Sequence, residues 1–177
     1  MTYRIGCVLG HGPGLNLPND EQFFSWPNRS NSFTPCQAYQ GLLDEDLKDA
    51  DVAIYIHDDV MIHDADWLQR VMGLFDNPQC VAVGLGGATG LGHPDLYKKR
   101  YNIWNMARSG YASNQTDWSV HGTQETGSRR VAVLDAFCMA VRTDWLRSKG
   151  GWPTKDLTFH CLDLWLACMA ARDKKET

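Results

Sequence analysis

Two adjacent carboxylates, Asp58 and Asp59, follow an apolar run, Val52-Ala-Ile-Tyr-Ile56, with His57 at the junction. A buried strand that ends in paired negative charge needs something outside the sheet to compensate it. Oxygen-rich clusters of this kind suit Mg2+ or Mn2+. Far downstream, Phe159-His160-Cys-Leu-Asp163 sets a histidine and a carboxylate at positions that share one face of a helical turn. Taken singly, each has a plain reading. Asp is common in turns after strands, a lone His is often a hydrogen-bonded core residue, and a first-turn carboxylate often serves only the helix dipole. Together, His57, Asp58, Asp59, His160 and Asp163 supply metal ligands and a possible general base.

Asp135 interrupts a second apolar run, Val131 to Val141. A carboxylate inside a buried strand costs several kcal/mol unless it is paired or hydrogen-bonded. It is therefore expected at the site, the plainer alternative being an edge strand with Asp135 facing solvent. Two glycine clusters, Gly10–Gly14 and Gly84–Gly92, invite a phosphate-loop reading. Gly84–Gly92 lacks Gly-Lys-Ser/Thr and opens no helix, so it reads as backbone beside a ligand or as a turn; Gly10–Gly14 is no stronger.

The elements that must position these residues alternate in type. Tyr3–Leu9 reads as a first strand and 15–34 as irregular. A helix spans Cys36–Leu47, with Ala38, Leu42, Leu43 and Leu47 on one side. Asp51–Ile56 is a buried strand of the parallel type because it does not alternate. Asp64 or Asp66 caps a helix whose stripe is Trp67, Leu68, Val71, Met72 and Phe75, stopped by Asn77-Pro78. Val81–Leu85 is a strand, and residues 93–128 form a long aperiodic stretch, the length at which loops are usually functional or mobile. Arg130–Val141 returns to strand, Thr143–Lys149 is a short helix closed by Gly150-Gly151, and a last helix runs from Cys161 to Arg172. Such alternation predicts an α/β fold with a mixed, mostly parallel sheet flanked by helices.

Composition narrows the class. The chain has 177 residues, enough for one domain. A net charge of −4, with no basic cluster beyond Lys98-Lys-Arg100, argues against nucleic acid as a partner. Six cysteines stand singly with no C-x-x-C pair, consistent with small buried thiols in a reduced, cytoplasmic setting. No stretch could span a bilayer, which leaves peripheral membrane contact open. The oligomeric state is not readable.

Taken in order, three segments resemble a family-2-type glycosyltransferase of the GT-A fold. Ile54-Tyr-Ile-His-Asp-Asp-Val60 resembles the strand and DxD-like acidic motif, with His57 where many relatives carry the first Asp. Val133-Leu-Asp-Ala-Phe-Cys-Met-Ala-Val-Arg142 resembles the strand before the acceptor site. Gly150-Gly-Trp152 and Phe159–Leu166 resemble the Gly-Gly-Phe segment and the later acidic motif. The resemblance implies one GT-A-like domain over residues 1–177, compact or truncated. It also implies transfer of a sugar from a nucleotide-sugar donor to a glycan or other hydroxyl acceptor, with Mn2+ or Mg2+ as cofactor. In that reading Asp163 is the catalytic base and Asp59 and His160 hold the metal. His57, Asp58, Gly10 and His11 face the nucleotide-sugar, and Asp135 and Trp152 face the acceptor. The aromatic residues Tyr97, Tyr101, Trp104, Tyr111 and Trp118 would be either ordinary packing or stacking faces for sugar rings.

Other classes remain in view. The short, irregular Leu9–Cys36 region and Trp165, which stands where a second acid is common, favour an inactive nucleotide- or carbohydrate-binding module of the same fold. A metal phosphohydrolase is suggested by the His-Asp pairs at 57–58 and 63–64, but those enzymes carry such pairs on helices. A nucleotidyltransferase would need a glycine-rich Arg/Lys signature near the N-terminus that is absent here.

Overall fold

The computed structural model describes residues 1–10, 22–28, 30, 32–60, 62, 64–88, 127–157 and 161–177, with the backbone of four short strands between 106 and 124. The chain begins with β1 (Tyr3–Leu9) and β2 (Phe23–Pro27), then α1 (Pro35–Glu45). Thr34 caps α1, accepting from the Gln37 amide while the Gln37 side chain accepts from the Thr34 amide. Pro35, with its fixed φ and no N–H to waste, opens the first turn. β3 (Val52–His57) and α2 (Trp67–Leu74) follow. Asp66 occupies the N-cap position of α2 but makes no side-chain cap bond, and the Asp64 carboxylate instead accepts from the Asp66 amide. The expected cap is therefore a turn before the helix.

β4 (Ala82–Gly84) runs after one residue into β5 (Gly86–Ala88). The short strands β6 (Met106–Arg108), β7 (Ala112–Asn114), β8 (Asp117–Ser119) and β9 (Thr123–Gln124) precede β10 (Val133–Leu134) and β11 (Cys138–Arg142). The helices α3 (Thr143–Ser148) and α4 (Leu162–Arg172) complete the order.

The main sheet has the order β2-β1-β3-β11-β4. β1 is parallel to β2 and β3, and β11 is antiparallel to both β3 and β4, so β11 is the one strand that runs against the rest. β3 is central, with residues 52–56 buried, because neighbours flank it and apolar layers cover both faces. Ala53 and Tyr55 enter the layer built with α1, α3 and α4, while Val52, Ile54 and Ile56 enter the layer with Val71 of α2 and Phe75 at its C-cap. Each of the large side chains fully buried here contributes roughly 1.5–3 kcal/mol. That two-sided burial is why the β3 sequence shows no alternation.

Three expectations need correction. Residues 15–34 contain β2, an edge strand whose sequence ends in Pro27 and carries little periodic signal. The Gly84–Gly92 stretch begins as strand rather than turn: a Cβ on Gly87 would meet the Val133 carbonyl at 2.7 Å, so glycine lets β5 pack close to β10. The apolar run from Arg130 to Val141 is not one strand. β10 belongs to a second sheet with β5, β6 and β9, and the chain breaks at Asp135–Phe137 before β11 joins the main sheet. Asp135 is thus half-buried in a break, not embedded in a buried strand. Among the described residues, no helix is long and apolar enough to cross a membrane.

Candidate functional site

Parallel pairing of β1 with β3 puts the exit of both strands at one end of the sheet, with Val8 opposite His57. The antiparallel strand β11 starts at that same end, with Cys138 opposite Ile56. This topology gathers Gly10, His57, Asp58, Asp59 and the Asp135–Phe137 break along one sheet edge. In α/β sheets, ligands bind beyond the carboxyl ends of the strands, and the edge lies there.

Hydrogen bonds fix the local geometry. The Gly10 amide donates to Asp58 Oδ2 at 2.8 Å, tying the exit of β1 to the turn after β3. The His57 amide donates to the Phe137 carbonyl at 2.9 Å, and the Val60 amide closes the turn on the His57 carbonyl at 3.3 Å. On the other side, the Asp135 amide donates to the Gly86 carbonyl at 2.8 Å, and Asp135 Oδ1 accepts from the Phe137 amide at 3.4 Å. Asp58 is half-buried, whereas His57 and Asp59 are exposed. The negative charge is felt one strand away: burial, then Asp58 and then Asp59 push the Cys7 thiol up to about 12.

Asp163 lies on a different element. It is half-buried in the first turn of α4, where its Oδ1 accepts from the Leu164 amide at 2.8 Å. Leu162 and Leu166 of α4 share the apolar layer with Leu134 of β10 and with Tyr55 of β3. Two ring contacts link α4 to β3: Trp165 to Trp152 at 6.0 Å between centroids, and Trp152 to Tyr55 at 5.1 Å. Cys161, just before α4, adopts φ 69°, a left-handed conformation costing on the order of 1–3 kcal/mol in a residue other than glycine.

Trp152 does not fit its expected place against an acceptor. Its ring is 2% exposed and packs among Tyr39, Tyr55 and Trp165 in the core, so it offers no face to a bound molecule. His11 and His160 lie outside the described residues, as does most of the 93–128 segment. Two contributors escaped the sequence reading. Phe137 receives the His57 amide on its carbonyl, and Gln40 Oε1 accepts from the Trp152 amide at 2.7 Å. Gln40 had a readable signal, since it is a polar residue beside Cys36, Tyr39 and Leu43 on the buried side of α1.

The donor set can be tested against a divalent cation. Among the described residues, no three His, Cys, Asp or Glu side chains converge as a metal cage. What this edge offers is two neighbouring carboxylates, one exposed, the other held in place by a backbone amide. That matches a hard cation of the Mg2+ type, which takes one or two protein carboxylates and completes its shell with water and substrate phosphate. The residues present fit such an ion.

A family described as "Glycosyltransferase like family" matches residues 29–161, which span β3, the Asp135 break and the Gly150-Gly-Trp152 turn. A search of curated proteins returned no match.

Proposed function

This chain belongs to the glycosyltransferase-like family, and from that premise we propose that it moves a sugar from a nucleotide-sugar donor to an acceptor hydroxyl. The observation that carries the reading is the convergence of Gly10, His57, Asp58, Asp59 and Asp135 at the one sheet edge where a ligand of this fold class would lie. Asp59, exposed, would hold Mn2+ or Mg2+ with His160 a further candidate ligand, while Asp58, held by Gly10, would assist through the donor ribose or a metal-bound water. Bound there, a divalent cation supplies charge neutralisation for the departing diphosphate.

The chain's own residues do the rest. Asp163 takes the proton of the attacking hydroxyl as a positioned general base. The acceptor oxygen bonds to the anomeric carbon as the bond from that carbon to the diphosphate oxygen breaks, and the nucleoside diphosphate leaves with the electron pair. A single in-line displacement of this kind inverts the anomeric centre. Gly10 and His57 line the donor side of the edge. Asp135, anchored to β5 through Gly86, lines the side where β10 meets β11 and where the acceptor would approach.

The test is turnover of a panel of nucleotide-sugars with Mn2+, by wild type and Asp163→Asn. Transfer by wild type with a loss of at least 100-fold in the variant, while nucleoside diphosphate binding stays within threefold, is the expected result. Normal turnover by Asp163→Asn removes that residue from the base role. The second reading, a binding module without turnover, is favoured by the engagement of Asp58 Oδ2 with Gly10, which leaves Asp59 as the exposed acid of the pair. Nucleoside diphosphate binding without transfer from any donor would establish it.

A further inference from the structure

Four rings from four segments of chain form one cluster, with Tyr39, Tyr55 and Trp152 buried and Trp165 half-buried. Tyr39 of α1 meets Tyr55 of β3 at 4.7 Å with the rings tilted by 37° and meets Trp152 at 5.8 Å; Trp152 meets Tyr55 edge-on, with 84° between planes, and then Trp165 of α4. Tyr55 precedes His57 by one intervening residue, and Trp165 follows Asp163 by one. Trp152 is the ring common to both ends.

Its own placement is closely held. Gly150 and Gly151 adopt φ 88° and 81°, which only glycine tolerates freely, and they turn the chain so that Trp152 enters the core. Gln40 Oε1 then takes the Trp152 amide. The indole Nε1–H is buried without a hydrogen-bond partner, as is the Tyr55 hydroxyl. The two groups are near enough for the indole to temper the upward shift that burial gives the Tyr55 phenol, but they lack hydrogen-bond geometry. A buried unpaired donor costs roughly 1–3 kcal/mol, which Phe or Leu would avoid. The indole touches Tyr55 of β3 on one side and Trp165 of α4 on the other, so its width bridges the two elements.

We propose that Trp152 is a positioning residue that sets the separation between the β3 acids and the first turn of α4, and so the placement of Asp163. The consequence for catalysis rests on the reading of Asp163 as the base. Interiors are packed like crystals, so a smaller side chain lets α4 settle toward β3 or leaves a void. A displacement of about 1 Å at a reacting group can cost on the order of 100-fold in rate.

The test compares Trp152→Leu, Trp152→Phe and, as a control, Trp145→Phe, which removes a buried indole of α3 whose Nε1 donates to Asp173 away from this edge. Crystal structures read the position of the first turn of α4 relative to β3. Kinetics read kcat and donor KM, calorimetry reads UDP and GDP affinity with Mn2+, and melting confirms the folded fraction. The expected result for Trp152→Leu is an α4 shift near 1 Å, kcat down tenfold to 100-fold, and donor KM and diphosphate affinity within twofold. Trp152→Phe recovers most of kcat, and Trp145→Phe keeps it even where its stability drops. An unmoved α4 in Trp152→Leu overturns the proposal, as does a kcat loss matched by Trp145→Phe or by an equal loss of donor affinity. Should wild type transfer no sugar, the role of Asp163 fails separately, and the position of α4 still decides what Trp152 sets.

Discussion

Removing the Asp58 carboxylate tests how the sheet edge is held. In the structure, Asp58 Oδ2 is the acceptor for the Gly10 amide at 2.8 Å, the bond that ties the end of β1 to the turn after β3. A hydrogen bond to a charged group contributes about 1.5–3 kcal/mol where it is well buried. Asp58 is half-buried, so water replaces part of the bond when it is lost, and the net cost of Asp58→Ala is about 1 kcal/mol. For a chain of this size that lowers Tm by roughly 2–4 °C. Relief of repulsion with Asp59 works the other way. Asp58→Asn settles this, because it removes the same charge but keeps an acceptor oxygen, so the difference between Asn and Ala isolates the hydrogen bond. The assay is a thermal melt of both variants together with exchange of the Gly10 amide proton. Asp58→Ala is expected to melt lowest and to expose the Gly10 amide, with Asp58→Asn between it and wild type. Equal melting of the two variants, with Gly10 exchange unchanged from wild type, would refute the bond as the tie between β1 and β3.

Two further outcomes follow from the geometry. The thiols of Cys7 and Cys138 are pushed by burial from 9.0 up to about 12, with Asp58 and Asp59 adding to the effect at Cys7. Between those values the unfolded chain releases protons that the native one retains. This stability is full below about pH 9 and is lost as pH rises toward 12, by a few kcal/mol in order of magnitude. Urea titrations across that range should show the fall, and Cys7→Ala should make it shallower, with the Cys138 share remaining; a flat wild-type curve would contradict the burial argument. The second outcome concerns the Gly150-Gly151 turn. A Cβ on Gly151 would sit 2.2 Å from Gln40 Oε1 at φ 81°, so Gly151→Ala combines left-handed strain with the loss of the Gln40–Trp152 bond. Denaturant unfolding should register about 2–4 kcal/mol of destabilisation, and a cost under about 0.5 kcal/mol, the range of a neutral surface change, would show that the turn is not held this way.

The sequence displayed some of this architecture openly. β3 was legible because a central strand buried on both faces must be continuously apolar, and its abrupt end in charge marks where the strand leaves the core. α1 was legible from its stripe of Ala38, Leu42 and Leu43, and α3 from the glycine pair that closes it. What stayed hidden depended on partners far away in sequence. β2 exists because β1 offers a free edge, not because Phe23–Pro27 carries a strand pattern. The run from Arg130 to Val141 conceals a change of sheet, since both strands are apolar; Asp135 was the visible mark of the break but reads equally well as a charge within one strand. Trp152 was set against the acceptor only through the likeness of Gly150-Gly-Trp152 to the Gly-Gly-Phe segment, and nothing in its local sequence signals burial. Only the approach of Tyr39, Tyr55 and Trp165 from three other segments shows it to be a core ring. Asp66 has the right type for a cap and the right position, but not the backbone geometry that would let its side chain reach the free amides.

The most direct measurement of the central claim is calorimetric titration of UDP and GDP, each with and without Mn2+, into wild type and Asp59→Asn. If the acids at the end of β3 hold a cation beside a diphosphate, wild type binds one nucleotide at least tenfold more tightly with Mn2+, and Asp59→Asn loses that gain while melting as wild type does. Metal-independent binding, or an Asp59→Asn variant that keeps the full gain, would contradict the assignment of this edge.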